Sequence, residues 1–314
     1  MSKRKFFVSS CYLCTIMQEN DVKKNSLRAW VLAARPKTLT GAAVPVMIGL
    51  AMAWADTGGV VNWVPAVLCL LFAFVMQVDA NFVNDYFDFV RGNDDATTRL
   101  GPLRACTQGW VSPRAMKWAI GVTTCLACCI GLPLVGYGGG DMVYVGLLCV
   151  LFCFLYTTHL SYVGMGDLLV LVFFGIVPVC VTYYLQTGMG TWQVVVASIA
   201  CGVVVDCLLL VNNYRDRAND RRDGKMTLVV KLGARTAEWL YLACGVVAVV
   251  AGAIHLWSGH WAAAVLPLVY LLLHIQTWRK VCRISKGRAL NECLGETARN
   301  IFIYGLTLSV GLLL

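Results

Sequence analysis

Nine apolar runs, each long enough to cross a bilayer, constrain this chain more than any other feature. They lie at about 38–56, 64–86, 114–135, 141–160, 166–186, 192–212, 235–256, 260–278 and 297–314. A helix needs roughly 20 such residues to span a hydrocarbon layer about 30 Å thick. Inside lipid the backbone has no water to bond, so each run is expected to be helical. Composition points the same way: 59% of residues are hydrophobic and 14% charged, against about 25% charged in a soluble domain. The expected fold is all-α, a polytopic membrane bundle of about nine transmembrane helices around a central cavity open to lipid. Residues 34–314 are expected to form one transmembrane domain, preceded by an N-terminal segment, 1–33.

Charge orients the bundle. All 26 Lys and Arg residues fall in four segments, 1–37, 87–117, 213–235 and 279–299, which hold 8, 5, 7 and 6 of them. The opposite connections, near 57–63, 136–140, 187–191 and 257–259, hold none, and neither does the connection near 161–165 on the basic side. By the positive-inside rule the basic side is cytoplasmic. A multi-pass protein of the cell membrane is expected, with its N-terminus and basic loops inside and its C-terminus outside. The formal charge of +9 then describes one face. That face suits anionic headgroups of membrane lipid or an anionic substrate, and no nucleic acid is expected as partner. The opening MSKRKFFVSSCYLC lacks the long apolar core and small-residue cleavage site of a signal peptide, so it reads as a cytoplasmic lead-in. Most of the 15 cysteines lie inside the runs, where they act as small apolar side chains. Cys11 and Cys14 form a lone C-x-x-C without a second pair or a nearby histidine, and chance spacing is the simpler reading.

One pattern occurs twice. VNDYFD at 83–88 corresponds to VNNYRD at 211–216, and each leads into an acid-rich loop that ends in RLG or KLG. Each sits where an apolar run meets the basic side. A duplicated unit with two such corners facing one cavity is expected. Asn81, Asn84, Asp85 and Asp88 are spaced i, i+3, i+4, i+7 and share one helix face, which Gln77 extends. Asn212, Asp216 and Asp220 share a face if their helix continues past the run.

Two opposed acidic stripes repel, and a divalent cation relieves that repulsion. Hard oxygen donors without His or Cys favour Mg²⁺, with Mn²⁺ as the alternative. Mg²⁺ takes one or two carboxylates together with phosphate oxygens of a substrate. Phosphate would also account for the basic residues among the acids: Arg91, Arg99, Arg104, Arg215, Arg217, Arg221, Arg222 and Lys225. The competing reading is a set of solvated loop charges, which fits Arg221, Arg222, Asp94 and Asp95 better than Asp85, Asp88 and Asp216. No GxxxxGK[ST] or GxGxxG phosphate loop is present. A greasy bundle with a metal–phosphate site at its mouth suits a polyprenyl diphosphate, whose tail stays in lipid. Loss of diphosphate leaves an allylic cation for an electron-rich acceptor to trap.

These residues resemble the UbiA superfamily of intramembrane prenyltransferases, marked by two aspartate-rich motifs on facing helices. The resemblance runs from about 28 to 314. Within the superfamily it is closest to the MenA branch, which prenylates 1,4-dihydroxy-2-naphthoate in menaquinone biosynthesis. ARPKTLTGAAVPVMIG, NDYFDFVRGND with RLGPLRACTQG, YVGMGDLLVLVFFG and NNYRDRANDRRDGKMTLVVKLG carry it. Asn84, Asp85 and Asp88 match the first motif, NDxxDxxxD. Its last position is Gly92, for which Asp94 or Asp95 could substitute. Asp216 and Asp220 match the second motif, DxxxD, and Arg215 and Lys225 match its basic positions.

The resemblance implies Asp85, Asp88, Asp216 and Asp220 as catalytic residues, and the same four with Asn84 as metal ligands. Substrate contacts are expected from Asn81, Arg91, Arg104, Arg215, Lys225, Tyr86, Tyr156 and Tyr214. Relatives often carry a Lys or Arg in the loop after the fourth span; here that loop offers only His159. The implied reaction is attack of the naphthoate ring on the allylic cation at the carboxylate-bearing carbon. Carbon dioxide is lost and demethylmenaquinone forms. Alternatives are the same chemistry on 4-hydroxybenzoate, homogentisate or a tetrapyrrole acid, and, in a different class, an ion-coupled transporter.

Overall fold

A computed structural model describes residues 22–92 and 99–314. The candidate acids Asp94 and Asp95, the Cys11–Cys14 pair and the basic lead-in lie outside the described residues. Among those described there are helices and no strands. Eight helical segments are long and apolar enough to cross a membrane.

A short helix, α1 (Leu27–Ala34), begins at Ser26, whose hydroxyl accepts the Ala29 N–H, and ends at Arg35 in a left-handed conformation. Arg35 precedes Pro36, and a residue before proline is disfavoured in the right-handed helical region. The chain breaks there and resumes as α2 (Leu39–Asp56). Next come α3 (Trp63–Arg91), capped by Asn62, and α4 (Pro113–Gly131), where Ser112 caps and Pro113 occupies the first turn. The fourth crossing is α5 (Asp141–Leu155), which ends in a π turn at Tyr156–Leu160. The fifth is α6 (Gly166–Leu171) joined by a second π turn to α7 (Val177–Thr187).

The longest helix is α8 (Trp192–Arg222), 31 residues capped by Thr191 and so about 46 Å long. It outruns the predicted 192–212 because its polar end continues as helix beyond the apolar stretch. After it come α9 (Leu228–Leu232), α10 (Ala234–Ala251), α11 (Trp261–Val265), α12 (Leu268–Ile284) and α13 (Leu290–Leu313). The ninth predicted run is the C-terminal part of α13. Asn291, Glu292, Glu296, Arg299 and Asn300 make this helix less apolar than the eight crossings.

The core sits around α8, which packs against α6, α7, α10 and α13, while α2 packs against α7 and α13. Ile48, Tyr183, Val204, Tyr270, Tyr304 and Leu308 meet there. In contrast, α4 and α5 bury little of their surface, 17% and 6% of their most apolar windows against 67% for α8. Lipid covers such a surface at no hydrophobic cost, and packing there needs shape complementarity instead. The ends of α3 and α8 are linked through the loop after α3 and the start of α13, and that end of the bundle carries the site.

Candidate functional site

The first corner is the end of α3. Gly92 closes the helix at φ 70°, its N–H bonding the carbonyls of Asp88 and Phe89. A left-handed closing residue is most cheaply a glycine. The missing fourth acid of the motif is therefore a helix C-cap here.

Asp85, 1% exposed, accepts the backbone N–H of Ala105 at 2.8 Å and that of Cys106 at 2.9 Å, one on each oxygen. It pins the following loop onto the helix, a structural role that the sequence pattern did not announce. That loop delivers Arg104, whose guanidinium donates to Asp88 Oδ2 at 2.5 Å. Asp88 is thus the half-buried acid of this corner that keeps an oxygen outside the loop clamp.

The second corner is the end of α8. Arg215, 3% exposed, donates from Nε and a terminal nitrogen to the two oxygens of Asp216, at 2.9 and 2.5 Å. It also donates to Asn212 and Asn291, each at 2.7 Å. These bonds absorb most of its donor fork, so Arg215 holds Asp216 in place and is not a free substrate contact. Asp220 has a buried oxygen, Oδ2, without a hydrogen-bond partner among the described residues. Among the cations acting on it, Lys225 has the largest electrostatic effect, and the Lys225 N–H bonds the Asp220 carbonyl at 2.7 Å.

The two corners touch. A Cβ on Gly101, in the loop of the first corner, would lie 2.6 Å from the Arg215 guanidinium of the second, so a larger residue would push against a guanidinium that its hydrogen bonds hold in place. Asn291, at the start of α13, bridges them: it accepts from Arg215 and donates to the Leu100 carbonyl at 2.9 Å. The segment after α5 joins from the side. Thr157 donates to Asn84 at 2.7 Å. Tyr156 lies within electrostatic reach of Asp167, Asp206, Asp88 and Asp220. It lines a cavity of about 10 Å³ with Asp167, Leu209, Asn213 and Lys225, room for about one water.

Several expected substrate contacts have other partners. Asn81 donates to the Ala34 carbonyl and the Thr38 hydroxyl, tying α3 to the break between α1 and α2. Arg91 donates to the carbonyls of Thr157 and Thr158 and lies over the Tyr162 ring, 4.7 Å from its centroid, so it anchors the loop. Tyr86 packs into the apolar cluster of α1, α3 and α4. Tyr214 donates to Glu238 at 2.5 Å and lies under Arg217, facing α10. His159 is exposed and meets only its neighbour Thr158 at 3.0 Å. Arg104, Lys225 and Tyr156 remain at the site with Asn84, Asp88, Asp216 and Asp220.

Four further polar residues escape the sequence reading. Asp79 is fully buried and accepts the hydroxyls of Thr123 and Thr124, which fastens α4 to α3. Asp167 and Asp206 lie in membrane-crossing helices, and Asn291 bridges the corners. Each of the three acids sits at or inside an apolar run, and a charge there is itself a functional signal. Asn291 carries no such signal.

The UbiA prenyltransferase family model matches residues 42–290. The chain is 32% identical over 309 residues to a 1,4-dihydroxy-2-naphthoate octaprenyltransferase of Escherichia coli (strain K12), covering 95% of this chain and 98% of that protein. Its fold is similar to the apo structure of a UbiA homolog from Aeropyrum pernix K1, with a TM-score of 0.68, 16% identity, and coverage of 87% and 97%. It is also similar to a UbiA homolog from Archaeoglobus fulgidus bound to DMAPP and Mg²⁺, with a TM-score of 0.55, 15% identity, and coverage of 90% and 99%.

Proposed function

The chain belongs to the UbiA prenyltransferase family, and on that premise we propose that it transfers a polyprenyl chain from polyprenyl diphosphate to 1,4-dihydroxy-2-naphthoate, with loss of CO₂. The name of the Escherichia coli relative, which aligns over nearly the whole chain, supports this acceptor. The observation that carries the reading is the pairing of the corners. The loop whose Arg104 holds Asp88 meets, at Gly101, the Arg215 that holds Asp216, and Asp220, one turn further along α8, keeps a buried oxygen without a partner among the described residues.

A divalent cation fits these donors. Among the described residues no three His, Cys, Asp or Glu side chains form a metal cage on their own. A set of few, hard oxygens matches Mg²⁺ that completes its coordination with water and phosphate. Asp88, Asp216 and Asp220 would hold it, with Asn84 beside them, and Mn²⁺ suits the same oxygens. Bound there, Mg²⁺ supplies positive charge to the diphosphate as it departs.

The chain's own residues do the rest. Asp85 fixes the loop that keeps Arg104 on Asp88. Lys225 offers a point charge to a phosphate oxygen. The apolar bundle excludes water, which would otherwise capture the allylic cation. The electron-rich ring bonds to that cation at its carboxylate-bearing carbon, CO₂ leaves, and the ring regains aromaticity as demethylmenaquinone. The site lies at the basic end of the bundle, which the positive-inside rule assigns to the cytoplasm.

Purified protein in nanodiscs with a polyprenyl diphosphate, Mg²⁺ and either 1,4-dihydroxy-2-naphthoate or 4-hydroxybenzoate tests this. Mass spectrometry should detect a prenylated, decarboxylated quinol from the naphthoate, and none with EDTA. Product from the benzoate alone would keep the family chemistry and discard the acceptor. No product from either, with intact protein, would overturn the reading.

A further inference from the structure

A third acid on α8 has no task in the site described so far. Asp206 lies near the middle of α8, ten residues before Asp216 and about 15 Å deeper along the helix axis. No Lys or Arg precedes Arg215 on α8, and among the described residues the groups that act on Asp206 include no cation. It is 8% exposed, and its Oδ1 is buried without a hydrogen-bond partner among the described residues. An ionisable group at such depth is costly, and an unmade bond to it adds to that cost.

Its surroundings are specific. The groups in electrostatic contact with it are Asp167, from the first turn of α6, and the Cys244 thiol of α10. Asp167 also has a buried oxygen, Oδ1, without a partner among the described residues. Tyr156 is within electrostatic reach of Asp206 and Asp167 as well as of Asp88 and Asp220, and it lines one cavity with Asp167. Asp206, Asn213, Asp216 and Asp220 recur at helical spacing along one face of α8, and Asn213 lines the cavity that Tyr156 and Asp167 share. A polyprenyl tail is hydrocarbon and would leave two carboxylate oxygens unbonded. A hydroxylated aromatic ring would bond them.

Resting on the proposed prenyl transfer to a dihydroxynaphthoate, we infer that Asp206, with Asp167 beside it, is the site that binds a ring hydroxyl of the aromatic acceptor. The hydroxyl next to the carboxylate-bearing carbon donates to the free oxygen of Asp206. As that ring carbon bonds to the allylic carbon, the O–H proton passes to the Asp206 carboxylate and the C–O bond becomes a ketone. The C–CO₂ bond then breaks, its electron pair returns to the ketone oxygen as an enolate, and Asp206 gives the proton back. No oxidant or further base is needed. The β-keto acid formed on the way is what makes loss of CO₂ easy.

The test uses full-length protein in nanodiscs and two simple probes, 1-hydroxy-2-naphthoate and 2-naphthoate, which differ only in the hydroxyl. Wild type should bind the hydroxylated probe at least about tenfold more tightly, as satisfying a buried carboxyl oxygen implies. Asp206→Leu should abolish that preference and lower turnover at least about a hundredfold. Its binding of geranyl diphosphate with Mg²⁺ should stay at the wild-type level, which shows that the two corners are intact. Should the leucine variant fail to fold, Asp206→Asn provides the same comparison with nearly the same shape. A variant that keeps the wild-type preference and turnover would overturn the proposal and make Asp206 a packing residue. Wild-type protein that binds both naphthoates equally would overturn it without touching the prenyl-transfer reading. Wild-type protein that yields no naphthoate product removes that reading and the proposal with it.

Discussion

The two corners share a sequence pattern and divide its work differently. Asn84, Asp85, Tyr86, Phe87 and Asp88 correspond in order to Asn212, Asn213, Tyr214, Arg215 and Asp216. In the first corner the second position is an acid spent on two backbone N–H groups, and it holds a loop. In the second corner that position is Asn213, 3% exposed, which lines the small cavity. The acid at the last position takes an arginine in both cases. Arg104 arrives at Asp88 from a loop 16 residues on, whereas Arg215 is the adjacent residue of Asp216. Two routes therefore converge on one arrangement, an aspartate with an arginine, repeated at the ends of α3 and α8. What the two corners share is that pair. The residues around it have been free to become scaffold.

Breaking either retained pair should have the largest effect. Asp88→Ala and Asp216→Ala should each remove turnover, a loss beyond about 10³-fold, while circular dichroism and thermal melting in nanodiscs stay near wild type. A variant of either that works at saturating Mg²⁺ would dissolve the symmetry between corners. Asp85→Asn sharpens the contrast from the scaffold side. One loop N–H would then face an amide nitrogen, at a cost of about 1–3 kcal/mol. The expected outcome is a lower melting temperature and about tenfold less activity, with an unchanged Mg²⁺ requirement. An Mg²⁺ requirement that rises in Asp85→Asn without loss of stability would return Asp85 to the metal ligands.

Asn291→Ala loosens the bridge between corners and leaves both acids in place. Two hydrogen bonds of about 1 kcal/mol each are lost, so KM for polyprenyl diphosphate should rise several-fold, within about tenfold, while kcat changes little. The smallest effect should come from Arg221→Ala. Arg221 is exposed and reaches only the Val230 carbonyl, at 3.3 Å. Stability should move by less than about 0.5 kcal/mol, and turnover should stay near wild type; a complete loss would show that this solvated charge contacts substrate.

Much of this architecture is legible without coordinates, for a physical reason. Lipid forces each apolar run into a helix and separates Lys and Arg by side, so crossings and sidedness follow from one-dimensional patterns. The corners are legible because acids at the ends of apolar runs are costly and occur twice. The use of each polar group is a different matter, because it depends on which loop folds back. Helical spacing places Asn81, Asn84, Asp85 and Asp88 on one face, yet they bond to three different segments: Asn81 to the end of α1, Asn84 to the Thr157 turn, and Asp85 and Asp88 to the 104–106 loop. Spacing along α3 carries no information about those partners. Tyr86 and Tyr214 look like wall residues of a site and instead face apolar clusters. Asp79, Asp167 and Asp206 were open to notice as charges in greasy segments, whereas Asn291 becomes visible only once α13 is packed against the corners.

The measurement that tests the central claim most directly is calorimetric titration of geranyl diphosphate into wild type, Asp88→Asn and Asp216→Asn, each with Mg²⁺ and with EDTA. If the corners form one metal–diphosphate site, wild type binds only with Mg²⁺, and each single variant loses at least about tenfold in affinity. Binding that survives EDTA, or that keeps full affinity when one corner is altered, would contradict the account.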